Sequence, residues 1–277
     1  MEISNLQGGV KLHNGVVMPY FGLGVFQTNS GEEVIEAVKA ALLHGYRHID
    51  TAAIYKNEAG VGEGIRKSGI AREEVFVVSK VWNKDQGYET TIDAFHQSLE
   101  KLKMEYLDLY LIHWPVTGKF NDTWRALETL YSSGKVRAIG VSNFLQHHLE
   151  KLLLTCDVIP MVNQMEFHPF LLQQPLLNYC RDHEIQYEAW APLMRGKVFE
   201  IDLFNELARK YNKTEVQIVL RWNLQKDVVT IPKSARKDRI ISNSEIFDFE
   251  LSTEDMSKID SLDCHERLGP DPDNFNF

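Results

Sequence analysis

The feature that most constrains this chain is an alternation. Short apolar runs of β-forming residues are each followed by a stretch with the apolar spacing of an amphipathic helix, and the unit recurs eight times. The strand runs are Tyr20–Gly24, Tyr46–Asp50, Val75–Lys80, Leu107–His113, Val136–Ser142, Met161–Glu166, Ile185–Ala191 and Val228–Pro232. The helical stretches between them include Glu32–Gly45, Asn57–Gly69, Thr90–Lys103, Asp122–Gly134 and Thr214–Gln225. Gly45, Gly69 and Gly134 stand where a helix ends in a left-handed residue. Such a pattern builds either a closed (β/α)8 TIM barrel or an open doubly wound sheet. A length of 277 residues suits one barrel of about 250 residues. No strand–helix turn carries the three-glycine dinucleotide fingerprint: the Gly22–Gly24 pair lacks the third glycine, and Gly60, Gly62 and Gly64 fall inside a helical run. The expectation is an α/β fold, a single (β/α)8 TIM barrel domain over residues 1–277. A small N-terminal hairpin turns at Asn14-Gly15, a pair that favours a type I′ turn. An extra C-terminal helix opens after Ser252, with Ser252 or Thr253 as its cap.

The net charge of −9 argues against nucleic acid or an anionic membrane surface as the main partner. No apolar run reaches the length of a membrane span, and Met1–Val10 has neither the basic nor the apolar region of a secretory signal. Cys156, Cys180 and Cys264 are odd in number and far apart, which suits free thiols in a reducing compartment and gives no Cys-rich zinc site. A cytoplasmic monomer is expected.

In a barrel of this kind the active site lies at the C-terminal ends of the strands. Those ends carry Asp50, Lys80, His113, Ser142-Asn143, Gln164 with Glu166, Trp190 and Lys233-Ser234. Side chains alternate faces along a strand, so Phe76, Val78 and Lys80 share one face, as do Leu109, Leu111 and His113. Each apolar file leads to one polar group, a packed floor under a polar mouth. Tyr55 follows Asp50 on the next loop. A free phenol has a pKa near 10 and gives up its proton poorly at neutral pH. An ammonium beside it favours the phenolate, Lys80 can supply that charge, and Asp50 can hold Lys80 in place. His113 can bind a carbonyl oxygen near the phenol. Together the four suit general-acid catalysis on a carbonyl. Lys233, Arg236, Lys237 and Arg239 form the densest basic cluster in an acidic chain, next to the mouth, and Arg grips phosphate bidentately. His48, on the face of Asp50, is expected as a hydrogen-bonded core histidine.

Gly45–Arg66, the run Val78–Trp82, Leu107–Pro115, Ile139–Phe144, Asn163–Pro169 and Val228–Ser234 with Arg239 and Asn243 together resemble the aldo-keto reductase family over essentially the whole chain. The form is similar to bacterial glyoxal or methylglyoxal reductases and 2,5-diketogluconate reductases. The resemblance implies NADPH as cofactor and Tyr55 as proton donor, with Asp50, Lys80 and His113 completing a catalytic tetrad. It implies that Ser142, Asn143 and Gln164 hold the nicotinamide carboxamide and that Trp190 stacks on the ring. Ala191-Pro192-Leu193 would pass along the pyrophosphate, Lys233, Ser234 and Arg239 would bind the 2′-phosphate, and Asn243 the adenine. Ser242 departs from the pattern, where the family often has Glu.

For substrate, Trp82 and Trp114, with Phe26, can wall an apolar pocket beside His113. The segments after Trp114 and after Leu262 are short. Short segments suggest an open pocket for small aldehydes and ketoaldehydes. Two other classes compete. A metal-dependent TIM-barrel hydrolase would use His48, Asp50, His113, Glu166 and His168 as ligands. A nicotinamide-sensing binding protein would keep the barrel without turnover. For the reductase no metal is expected.

Overall fold

A computed structural model describes residues 3–275 and 277. The chain opens with an antiparallel hairpin, β1 (Gly9–Lys11) and β2 (Val17–Pro19). The Gly15 N–H donates to the Leu12 carbonyl and the Leu12 N–H to the Val16 carbonyl, with Gly15 at φ 90°. Asn14 keeps a negative φ, so this is a longer loop closed by a left-handed glycine and not the type I′ turn expected of Asn-Gly. Asn14 instead uses its amide, which donates to the Arg137 carbonyl and ties the hairpin to the barrel.

Eight parallel strands follow in sequence order: β3 (Leu23–Gly24), β4 (His48–Asp50), β5 (Phe76–Val81), β6 (Leu107–Ile112), β7 (Val136–Ser142), β8 (Val162–Glu166), β9 (Gln186–Trp190) and β10 (Val229–Thr230). Bridges between Phe21 and Thr230 and between Gly24 and Lys233 join the first strand to the last, closing the barrel. A Cβ on Gly24 would lie 2.8 Å from the Ile231 carbonyl oxygen, and one on Gly22 would lie 2.7 Å from the His48 ring. These glycines, which mimic half of a nucleotide fingerprint, are there because the seam leaves no room for a side chain.

Helices α1 (Glu32–His44), α2 (Glu58–Ser68), α3 (Tyr88–Leu102), α4 (Phe120–Ser132), α5 (Gln146–Leu153) and α6 (Gln174–Asp182) each follow one strand. β9 is followed by two, α7 (Asp202–Tyr211) and α8 (Glu215–Gln225), and β10 by α9 (Lys237–Asn243). Gly45 and Gly69 end α1 and α2 in the left-handed region. Thr214 caps α8 with Gln217 answering it, and Ser252 caps α10 (Thr253–Asp260) by accepting from the Asp255 N–H. No helix among the described residues is long and apolar enough to cross a membrane.

The register fixes what faces the barrel interior. Asp50 lies beside Val78, and Lys80 beside Leu111. The opposite parity serves the helical layer: the Ser79 hydroxyl donates to Glu58 on α2. At the other end of the barrel Asp108 gathers Arg72 and Arg137, each at 2.7 Å.

Candidate active site

Lys80 is the best-buried cation of the chain, with no exposed side-chain surface. Its ammonium donates to both oxygens of Asp50, at 2.7 and 2.8 Å, and to the Thr51 carbonyl at 2.9 Å, with the Tyr55 hydroxyl also within its reach. Burial opposes its charge, but Asp50 and Tyr55 more than offset that and raise its pKa. The ammonium lies 5.2 Å from the Tyr55 ring centroid. For Tyr55 the balance differs from the sequence expectation. Burial raises the phenol pKa, Lys80 lowers it, and burial prevails. The phenol therefore holds its proton at neutral pH. The His113 ring stands edge-on to Tyr55 with centroids 5.7 Å apart. Burial first, then the Lys80 charge, keeps the His113 pKa well below the ordinary value, so the ring is neutral.

Around this centre opens a cleft of about 810 Å³. Asp50, Tyr55, His113, Ser142, Asn143, Gln164, Trp190, Ala191, Pro192, Leu193, Lys233, Ser234, Arg239 and Asn243 all line it, with Trp82, Trp114 and Phe26. Of the residues expected to serve catalysis, NADPH and substrate, Lys80 alone is not in the lining and stands behind Asp50 and Tyr55; Glu166, Arg236 and Lys237 also lie outside it. Several of the lining residues are already engaged with each other. Asn143, at φ 64°, donates to the His113 carbonyl and to Ser142 Oγ and accepts from Trp190 Nε1. Ser142 Oγ donates to the Gln164 carbonyl. Gln164 places both amide hydrogens on carboxylates, Asp50 at 2.9 Å and Glu188 at 2.8 Å, which leaves Oε1 as the free atom of that amide. Ala191 holds φ 52°, a strained conformation for alanine at a loop that borders the cleft.

The basic cluster divides. Arg236 pairs with Asp238 on the surface, at 2.6 Å, and Lys237 does not line the cleft. Lys233 and Arg239 line it, are exposed, and have no ion-pair partner among the described residues. Ser242, the residue that departs from the family pattern, lines the cleft beside Asn243.

Three features escaped the sequence. The first is Arg195, at φ 52°, on the cleft wall. It sits with Gly196, at φ 99°, in a kink that breaks the short 3₁₀ turns of Met194–Glu200, a conformation that periodicity does not reveal. The second is Glu188, wholly buried on β9. Burial, with Asp50 adding to it, pushes its carboxyl pKa up to about 8. Its position two residues before Trp190, on the same face of the strand, was the available signal. The third is the path of the tail. Far from leaving the mouth open, it crosses it. Phe277 stacks on Trp82 with centroids 5.6 Å apart and meets Trp114 edge-on, while Phe275 packs on Trp114. Pro270 and Phe277 line the cleft. The open pocket inferred from segment length is therefore corrected: few residues suffice to cover the mouth when two are aromatic and are anchored.

The anchors use two of the residues that a metal site would need, Glu166 and His168. Glu166 accepts from the Leu268 and Gly269 N–H groups at 2.7 and 3.1 Å, and His168 Nε2 lies 3.1 Å from the same carboxylate. Burial opposes its charge, yet His168 and these N–H groups hold its pKa low. His48 faces the Pro19 carbonyl and Glu188, and Asp50 is held by Lys80. The five candidates do not converge. The one His/Asp cluster with metal-ligand spacing among the described residues is His147, His148 and Asp273, outside the cleft lining. The hydrolase alternative is not supported.

Comparison with known proteins gives one answer. Residues 20–264 match the Aldo/keto reductase family. The chain is 61% identical to a glyoxal reductase of Bacillus subtilis (strain 168) over 274 residues, covering 99% of each chain. It is 45% identical to a methylglyoxal reductase of Escherichia coli (strain K12) over 270 residues, 96% of this chain and 97% of that one. Among solved structures, a Gox0644 variant in complex with NADPH superposes with a TM-score of 0.94 at 41% identity, covering 98% of this chain and 99% of that one.

Proposed function

The chain belongs to the aldo/keto reductase family, and from that premise we propose that it reduces small aldehydes and dicarbonyls, such as glyoxal and methylglyoxal, with NADPH as cofactor and Tyr55 as proton donor. The observation that carries this reading is the meeting of a protonated phenol, a neutral imidazole and a buried Lys80–Asp50 pair in a cleft also lined by Arg195, Lys233 and Arg239, none of them ion-paired among the described residues.

The residues fit the cofactor. Lys233 and Arg239 suit the 2′-phosphate, and Ser234 and Asn243 line the same cleft. Gln164, with its amide hydrogens engaged, offers Oε1 to the carboxamide, beside Ser142 and Asn143. Trp190 offers an indole face, held by its bond to Asn143. NADPH supplies the hydride when bound. The protein's own part is to place the carbonyl oxygen between Tyr55 and His113. The imidazole, neutral, keeps one N–H to bind that oxygen. The phenol keeps its proton until negative charge develops on the oxygen, and the Lys80 ammonium then stabilises the phenolate left behind. Asp50 holds the ammonium in place. Trp82, Trp114 and Phe277 wall the substrate side, which favours small or flat carbonyl compounds.

The test is loss of NADPH absorbance with a panel of aldehydes, ketoaldehydes and bulky ketones. Turnover of glyoxal and methylglyoxal with kcat/KM above that of every bulky ketone is expected. A bulky ketone preferred over all small carbonyls refutes the substrate assignment.

A further inference from the structure

Beneath the catalytic groups lies a pair that the mechanism has not used. His48 and Glu188 are wholly buried, and His48 Nε2 and Glu188 Oε1 stand 3.4 Å apart. Neither atom has a hydrogen-bond partner among the described residues. The rest of each group is engaged. His48 Nδ1 lies 3.1 Å from the Pro19 carbonyl, which only accepts, so Nδ1 carries the ring proton. Nε2 of a neutral ring is then a bare acceptor. Glu188 Oε2 accepts from Gln164. An ionised Glu188 would therefore present a second acceptor to Nε2, and one neutral amide would be its only donor among the described residues in a wholly buried site. An unpaired buried carboxylate is strongly disfavoured. One proton on Oε1 satisfies both orphaned atoms at once. The ion-pair alternative, a charged His48 facing a charged Glu188, buries two charges where the neutral pair buries none.

We propose that Glu188 is a neutral carboxylic acid in the folded protein, donating Oε1–H to His48 Nε2 and accepting from Gln164 at Oε2, and that it is a positioning residue for the reaction. It does two things. It fixes the Gln164 amide, whose reversal would turn an oxygen toward the oxygens of both Asp50 and Glu188, and so keeps Oε1 as the free acceptor. It also leaves Lys80 facing one charged carboxylate, Asp50, and not two, so that the ammonium's charge is not neutralised before it acts on Tyr55. The groups facing Glu188 are His48 and Asp50 on β4, Lys80 on β5 and Gln164 on β8, with Tyr55 beyond Lys80. Raised by burial and by Asp50, the Glu188 carboxyl ionises near pH 8.

The test begins with the protein free of cofactor. Infrared difference spectra of wild type against Glu188→Gln at pH 7 should show one carboxylic-acid carbonyl band in the wild type only, fading as pH passes about 8. A carboxylate band lost in its place, or an imidazolium signal from His48 at pH 7, overturns the proposal. The positioning role is read in binding. The Gln side chain supplies the same donor and acceptor, whereas Glu188→Leu supplies neither. NADPH should bind the Leu variant roughly tenfold more weakly than the Gln variant, the effect of one orphaned buried polar group. Equal affinities overturn it. In turnover, the alkaline change in kcat that follows ionisation of Glu188 should vanish in Glu188→Gln; its persistence assigns that change elsewhere and removes the charge argument. Only this last readout rests on the proposed role of Tyr55. If Tyr55→Phe turned over normally while the acid band was present, the role of Tyr55 would fall and the assignment of Glu188 would stand.

Discussion

Tyr55 keeps its proton because burial outweighs the pull of Lys80, and a donor must hold a proton before it can deliver one. Removing only the hydroxyl, in Tyr55→Phe, should lower kcat roughly 10²–10⁴-fold while NADPH affinity stays nearly intact, as measured by single turnover and by fluorescence quenching. A variant with near-wild-type kcat would show that another group is the acid. Arg239 makes a separable claim. It is exposed and unpartnered among the described residues, so its side chain is available to a phosphate. Arg239→Ala should weaken NADPH roughly ten- to a hundredfold, the worth of about 1.5–3 kcal/mol for bonds to a charged group, and NADH little. Equal weakening of both cofactors would place its effect on the shared pyrophosphate or on structure. The meeting of Lys80 and His113 at one end of the barrel was legible in the sequence because each ends an apolar file of fixed parity. Glu188 was not, because its meaning depends on His48 and Gln164, which reach it across three strands and not along one.

Strands and helices were legible for the same reason that they form. Period-two files such as Phe76–Lys80 and helical stripes bounded by Gly45 and Gly69 record burial on one face. The hairpin turn was misread in type because Asn14 serves Arg137, a contact 123 residues away that no local rule contains. The tail was illegible altogether. It has no period; its course is set by contacts to other elements. Glu166 holds Leu268 and Gly269, His147 and His148 meet Asp273 at 2.9 and 3.3 Å, and the Asn83 amide donates to the Phe277 carbonyl. Gly269 passes so close to Trp190 that an added Cβ would lie 2.3 Å from the indole edge. Trp190 is tied to Asn143 and has little freedom to yield. Gly269→Ala should therefore displace either the tail or the indole at about 1–3 kcal/mol, the usual penalty of overpacking. The expected readouts are weaker NADPH binding and faster proteolysis of the tail. Wild-type values for both would mean that the tail is not keyed to Trp190.

At the scale of the whole molecule, the buried titratable groups set how stability follows pH. His48 and His148, with pKa values lowered to about 4, and His113, held by burial well below its ordinary value, are neutral when folded. The unfolded chain binds protons on them below about 6.5. Their contribution to stability is therefore present above about 6.5 and is lost as pH falls toward 4. Glu188 has the opposite sign. Its folded pKa, about 8, lies above the ordinary 4.5, so the folded state keeps a proton that the unfolded chain has released. That contribution is whole below about 4.5 and is lost as pH rises through about 8. Between the two ordinary values the three histidines oppose the one carboxyl. Above about 6.5 the histidine contribution fades as the unfolded rings lose their protons, and toward 8 Glu188 sets the sign of the slope. The lysine and tyrosine shifts act at higher pH, and Asp255, lowered to about 2, at lower pH. The thermal midpoint should accordingly rise from pH 4.5 to a maximum near 6.5 and decline toward 8, followed by circular dichroism at fixed ionic strength. Glu188→Gln should flatten the descending limb and steepen the ascending one, because Gln carries the neutral hydrogen-bonding pattern at every pH and no longer opposes the histidines. A wild-type midpoint that stays level or rises from 6.5 to 8 would mean that Glu188 is already ionised at neutral pH. A decline that survives in Glu188→Gln would assign the folded state's extra proton to another group.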